Sequence, residues 1–144
     1  MGRVVVHIDS KPKNRSISSI IDDYRERLLP RGITLNVHGS SSGIEGYESE
    51  ISGLSGNLVI LDQRGTSMSS REMAAWMDSI QLSSETTHLA VGPHQGFSEN
   101  VKQNADKTIS LSRLTLTHEM SAALLMEQLY RATEINRGTA YHKD

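Results

Sequence analysis

Apolar residues recur along the chain as short runs separated by stretches with helical spacing. Arg3 to Ile8 is dominated by Val and Ile and predicts a first strand. Ile17, Ile20, Ile21, Tyr24 and Leu28 then follow at steps of three and four, which predicts an amphipathic helix from Ser16 to Leu29. Pro30 and Gly32 end it, and Ile33 to Val37 reads as a second strand. Residues 39–56 are broken by glycines and serines and predict a loop with a short, weak helix. Leu58 to Leu61 is short and wholly apolar, as a strand buried on both faces would be, with Asp62 to Gly65 as the turn after it.

Ser69, with Glu72 three residues on, reads as a capping box that opens a helix from Ser70 to Gln81, with Met73, Ala74, Trp76, Met77 and Ile80 on its buried face. His88 to Val91 predicts another strand, Ser98 caps a short helix carrying Val101, and Thr108 to Leu111 predicts a last strand. Met120 to Ile135 is the strongest helical stretch and ends at Gly138. Strands alternating with helices predict an α/β fold around a mostly parallel sheet. In such sheets ligands sit beyond the carboxyl ends of the strands. That rule singles out three loops, Leu61 to Gly65, Gly92 to Gly96 and Leu111 to His118.

Composition narrows the chemistry. With 144 residues the chain is about one ordinary domain, and 36% hydrophobic content with 4% aromatics means a core of aliphatic residues and methionine. No apolar run approaches the ~20 residues of a membrane-spanning helix. Met1-Gly2-Arg3 runs straight into Val4 with no signal-peptide pattern, so the expectation is a soluble, cytoplasmic domain. The absence of cysteine removes disulfides, zinc–cysteine sites and a thiol nucleophile. A net charge of -2 does not announce a nucleic-acid binder, although a local patch remains open. The six histidines form no HxxxH or HExxH pattern, so no metal is expected. Gly92 to Gly96 is neither G-x-G-x-x-G nor a P-loop, and its two glycines fit either a tight turn or a close backbone approach to a ligand. Leu58 to Asp62 looks like the strand before a receiver-domain phosphoacceptor, but Asp9 stands without a second acid, and that reading is set aside. Lys11, Lys13 and Arg15 read as a solvated loop. An imidazole in general changes charge near neutral pH, so His118 and His142 can serve as bases, or simply sit in water. An aromatic, an imidazole and an ammonium at Tyr141-His142-Lys143 can stack on RNA and pair with its phosphates.

Several blocks resemble a known family in one register. Leu61-Asp62-x-Arg64-Gly65 followed by Ser69-Ser70-x-Glu72 looks like its L-D-x-x-G…S-S-x-E segment. Ser110 to Leu116 with His118 resembles its S-L-S-K-[ML]-T-[FL]-P-H block. Leu125 to Ala132 and Arg137-Gly138-x-x-Tyr141-His142-Lys143 resemble its L-x-E-Q-[LV]-Y-R-A…R-G-x-x-Y-H-[KR] ending, and Asp23-Tyr24-x-x-Arg27-Leu28 its early E-Y-x-x-R-L. The family is the ribosomal large-subunit RNA methyltransferase H group of the SPOUT superfamily. The match runs from about residue 57 to the end, and the resemblance implies one SPOUT domain over residues 1–144, with the cofactor region in 57–144.

It further implies a C-terminal trefoil knot, a homodimer, and S-adenosylmethionine bound in the knot. The implied reaction methylates N3 of a pseudouridine in 23S ribosomal RNA of the assembled ribosome, without a metal. Carried over by motif, the cofactor positions are Leu61, Gly92, Leu111, Ser112, Arg113, Leu114, Thr115 and Leu116. His118, Tyr141 and His142 are the expected catalytic positions, with His142 as proton acceptor. The chain departs from the pattern at Pro93 (a second glycine in the family), Thr117 (proline), Ala122 (arginine) and Glu119 (a neutral residue). Proline removes an N–H from the loop, and the two charge changes should weaken attraction to RNA phosphates. An alternative is therefore a diverged SPOUT domain that binds RNA or a ribosomal partner without transferring methyl groups.

Overall fold

In the computed structural model, residues 2–39 and 43–143 are described. Five strands, β1 (Val4–Ile8), β2 (Ile33–Val37), β3 (Asn57–Ser67), β4 (Thr87–Ala90) and β5 (Lys107–Ser110), form one sheet in the order β2-β1-β4-β3-β5. Every pairing is parallel. The helices are α1 (Arg15–Leu28), α2 (Gly43–Ser52), α3 (Ser70–Leu82), α4 (Glu99–Asn104) and α5 (His118–Arg137), with a 3-10 turn at Leu29–Arg31. Among the described residues no helix is long and apolar enough to cross a membrane.

Side chains alternate across a strand, so the sheet has two unlike faces. Val4, Val6, Leu35, Val59, Leu89 and Ile109 look toward α1, α3 and α5 and build the larger core. The opposite face is smaller: Ile60 and Ala90 meet Tyr47 and Ile51 of α2, Phe97, and Val101 of α4. His7 and His88 share that second face and are buried, at 1% and 8% exposure. His7 bonds by its ring nitrogens to His38 and to His88, each at 2.8 Å.

Local signals fix the helix ends. Asn14 Oδ1 accepts from Ile17 N at the start of α1, and Ser69 with Glu72 forms the expected reciprocal box at α3. Gly138, at φ +71°, closes α5 in the left-handed conformation. The first helix starts one residue earlier than expected, and its Ile20 stays 46% exposed. Trp76 is only partly buried against the core. Within 39–56, α2 is a full helix of ten residues, whereas Ser40 to Ser42 lie outside the described residues.

The larger departure is at β3. The expected turn at Asp62 to Gly65 is an excursion inside a longer strand: Leu61 pairs with Ile109, and after a register shift Thr66 pairs with Ile109 and Ser67 with Ser110. The returning strand passes very close to β5. A Cβ on Gly65 would lie 2.7 Å from the carbonyl carbon and oxygen of Thr108 and 2.8 Å from that of Ile109.

Two predictions follow from these contacts. Gly65→Ala drives a methyl into β5 backbone, so urea unfolding should show a loss of about 2 kcal/mol or more; an unchanged midpoint would mean the strands separate freely. Burial, helped by the rings of His88 and His38, lowers the His7 pKa from 6.5 to about 4. The folded state therefore resists a proton that the unfolded chain takes up below pH 6.5, so this contribution is full above that pH and lost as pH falls toward 4. Between pH 7 and pH 5 it amounts to roughly 2 kcal/mol. Urea titrations at both pH values should show a smaller pH difference in His7→Gln than in the wild type.

Candidate functional site

Parallel pairing brings Leu61, the last residue of β3 before its excursion, level with the carboxyl ends of β4 and β5, which Gly92 and Leu111 follow. A cavity of about 370 Å³ opens among the three loops that follow. This is the size of a site for a small organic ligand. Leu61, Phe97, Leu111 and Leu116 give it apolar wall, and Leu114 stands at its rim, 73% exposed. Gln63, Ser112, Thr115 and His118 supply polar groups.

Each loop is braced by its own short-range bonds. Ser112 Oγ accepts from Leu114 N at 2.9 Å, and Ser110 Oγ donates to Ser112 O. Thr115 Oγ1 donates to Gln63 Oε1 at 3.2 Å and so ties the loop after β5 to the excursion in β3. Gly96 N donates to Pro93 O at 2.8 Å, closing a turn in which Gly96 has φ +80°. The Pro93 carbonyl accepts that bond, so the turn makes no use of the N–H that proline lacks. Lys102 of α4 reaches the cavity and pairs with Asp62 at 3.5 Å, and Arg64 adds a second cation to the lining.

Gly92 differs from Gly65. Its φ is not positive, and a Cβ would meet only the Phe97 ring, at 3.5 Å, an ordinary contact. Neither backbone strain nor crowding calls for glycine at this position. The missing side chain leaves open space inside the cavity.

The sequence-derived residues divide into two groups. Leu61, Gly92, Leu111, Ser112, Leu114, Thr115, Leu116 and His118 all border the cavity. Arg113 is exposed and points elsewhere, being absent from the lining. His118 sits in the first turn of α5, capped by Thr117, whose Oγ1 accepts from Met120 N. Its Nδ1 is buried without a hydrogen-bond partner among the described residues, and its ring meets His94 edge-on at 5.7 Å.

Tyr141 and His142 do not border this chain's cavity. The tail folds back on α5 and α1 instead: Tyr141 Oη donates to Glu127 at 2.8 Å and lies 3.1 Å from Tyr24 Oη. Burial, with these two partners, raises the Tyr141 phenol well above its ordinary value. Arg131, paired with Glu127, lies over the Tyr141 ring and donates to His142 Nδ1 at 3.1 Å. In a neutral ring the proton is then on Nε2, so His142 offers a donor in this arrangement.

Two departures from the family pattern have structural uses. Glu119 accepts from Lys13 N and Asn14 N at 3.0 and 3.2 Å, and those bonds hold its carboxyl below the usual range. Ala122 is 3% exposed and packs within the larger core. Lys102 and His94, both at the cavity, carry no sequence signal beyond falling after β4. Among the described residues no three metal-ligating side chains converge.

A sequence model described as predicted SPOUT methyltransferase matches residues 3–142. A protein from Thermodesulfovibrio yellowstonii named ribosomal RNA large subunit methyltransferase H is 36% identical over 149 aligned positions, covering 99% of both chains. A protein of the same name from Variovorax paradoxus is 34% identical over 135 residues, 85% of this chain and 87% of its own length. The match to the one from Thiobacillus denitrificans is 42% over 86 residues, spanning 60% of this chain and 55% of that relative.

Proposed function

The chain belongs to the SPOUT methyltransferase family, and from that premise we propose that it transfers a methyl group from S-adenosylmethionine to N3 of a pseudouridine in 23S ribosomal RNA. The target is the assembled ribosome in the cytoplasm, and the enzyme works as a homodimer with a C-terminal trefoil knot. The cavity at the carboxyl edge carries this reading, because its wall at Gly92, unlike the positive-φ turn at Gly96, has no structural reason to be bare of a side chain. The names of the relatives at 34% and 36% identity support the large-subunit RNA substrate.

The residues present fit the cofactor. Leu61, Leu111 and Leu116 offer apolar surface to an adenine ring, and the backbone of 112–116 offers amides and carbonyls to its edge. When bound, the cofactor supplies a methyl group already activated on a sulfonium. What the chain must add is alignment of the attacking nitrogen and exclusion of water. The ring N–H of the base must also lose its proton. His118, whose side chain borders the cavity, is the acceptor this chain provides.

Tyr141 and His142 belong in the reaction through the second copy. Their absence from the lining of their own chain's cavity, and their seat on Tyr24 of α1 and on Glu127 and Arg131 of α5, suit a tail that completes the partner's site.

Calorimetric titration with S-adenosylmethionine should show saturable binding. Gly92→Val should abolish it while leaving thermal unfolding within a few degrees of wild type; no binding by the wild type would overturn the cofactor reading. His118→Ala and His142→Ala should each reduce methyl transfer to ribosomes to background at unchanged cofactor affinity. Mixing the two inactive variants should recover about one quarter of wild-type activity, since half the random dimers carry one intact site. No recovery would remove the shared site.

A further inference from the structure

Three histidines distant in the chain form a continuous hydrogen-bonded row beneath α2. His7 Nδ1 lies 2.8 Å from His38 Nε2, and His7 Nε2 lies 2.8 Å from His88 Nδ1. Both ends of the row stop on oxygen. His88 Nε2 is 3.0 Å from Ser55 O, and His38 Nδ1 is 2.6 Å from the Glu50 carboxylate of α2.

A carbonyl and a carboxylate only accept, so the four bonds need four ring protons. Three neutral imidazoles carry three. The row therefore holds one additional proton. His7 is the poorest host, since burial and two flanking rings disfavour its charge. His38, against Glu50 at 2.6 Å, is the best.

α2 needs such a fastening. Tyr47 and Ile51 are its only buried residues among those described, whereas it carries Glu45, Glu48 and Glu50. Yet it braces the loop at the candidate cofactor site in three ways. Tyr47 Oη donates to Val91 O at 2.8 Å, one residue before Gly92, and to His7 O at 3.1 Å. The Tyr47 ring stacks on Phe97 at 6.3 Å, and Phe97 borders Gly92. Glu48 accepts from Ser98 N at 2.8 Å, where α4 begins.

The geometry points to a proton-fastened clamp: α2 positions the Gly92–Ser98 loop, and a single proton stored in the His38–His7–His88 row holds α2 against the sheet. The residues Tyr47, Glu48 and Glu50 are positioning residues, and the consequence for cofactor binding rests on the function proposed above. The other ionisable groups nearby are accounted for. Asp9 of the β1 end acts on Tyr47, whose phenol burial raises far above its ordinary value. Lys102 of α4 is paired with Asp62 and Glu99. Above pH 6.5 the seated clamp binds a proton that the lifted one releases, so rising pH loosens it; below that value the proton uptake that His7 resists acts in the opposite sense.

Glu50→Gln isolates the stored proton. A Gln amide N–H can donate to His38 Nδ1, so three neutral rings then satisfy all four bonds. Ring-nitrogen NMR of the ligand-free protein should count four protons across the three histidines at pH 6.5 in the wild type and three in Glu50→Gln. Amide shifts of Gly92, Gly96 and Ser98 should move between pH 6.5 and 8.5 in the wild type and stay fixed in the variant. Three protons in the wild type, or loop shifts that titrate alike in both proteins, would overturn the clamp. Affinity for S-adenosylmethionine, taken as the ratio of wild type to variant so that the ligand's own titration cancels, should fall at least about threefold over the same range; a flat ratio would also overturn it. If neither protein binds the cofactor at any pH, the cofactor reading fails, while the proton count and loop shifts still decide the clamp.

Discussion

The backbone of β3 at Gly65 lies so close to β5 that no Cβ fits between them. This approach lets one strand pair with β5 twice, before and after the excursion, with Leu61 and Thr66 both opposite Ile109. The excursion is thereby held at both ends, and Asp62, Gln63 and Arg64 are carried to the mouth of the cavity. Gln63 receives Thr115 there and Asp62 receives Lys102, so the loop after β5 and the helix α4 are both referred to the same fixed point. A parallel sheet already gathers its carboxyl ends at one edge. The contact at Gly65 is what gives that edge a definite shape.

The two sheet faces are held by different physics. On the face of α1, α3 and α5, a nearly continuous set of aliphatic side chains and methionines leaves water, and that burial is sufficient to seat three helices. The other face has Ile60, Ala90 and two histidines to offer a short, acidic helix. There polar bonds decide the position of α2, and polar bonds with an ionised partner respond to pH as apolar burial does not. The loop bearing Gly92 is attached to the second face, through Val91, Phe97 and Ser98. The cavity thus takes one wall from the rigid layer and one from the responsive layer.

What the sequence made legible were the features with a local cause. Valine and isoleucine runs marked the strands, the Ser69–Glu72 pair marked α3, and the strand–loop alternation located the three loops that border the cavity. The polar second half of β3 was not legible, because only Thr66 and Ser67 return to pair with β5 and Asp62 to Ser67 carries no apolar alternation. The histidine row was hidden for a different reason. Its members are separated by 31 and 81 positions, and only the order of strands in the sheet makes them neighbours. The lysine at the cavity was equally silent, since its role depends on where α4 docks.

The substitutions that set this chain apart from its family pattern follow the same division. Glu119 and Thr117 satisfy backbone amides at the starts of α1 and α5, and Ala122 fills core space, so these changes belong to the scaffold. Pro93 lies in the turn closed by Gly96 N, where its carbonyl is the group that matters. A loop stiffened by proline has fewer conformations of its own, so its placement depends more on what holds it at either end. Those ends are Val91, bonded to Tyr47, and Ser98, bonded to Glu48. The stiffer the turn, the more faithfully a displacement of α2 reaches Gly92, which is how a residue change in one loop makes a proton under a distant helix matter to the site.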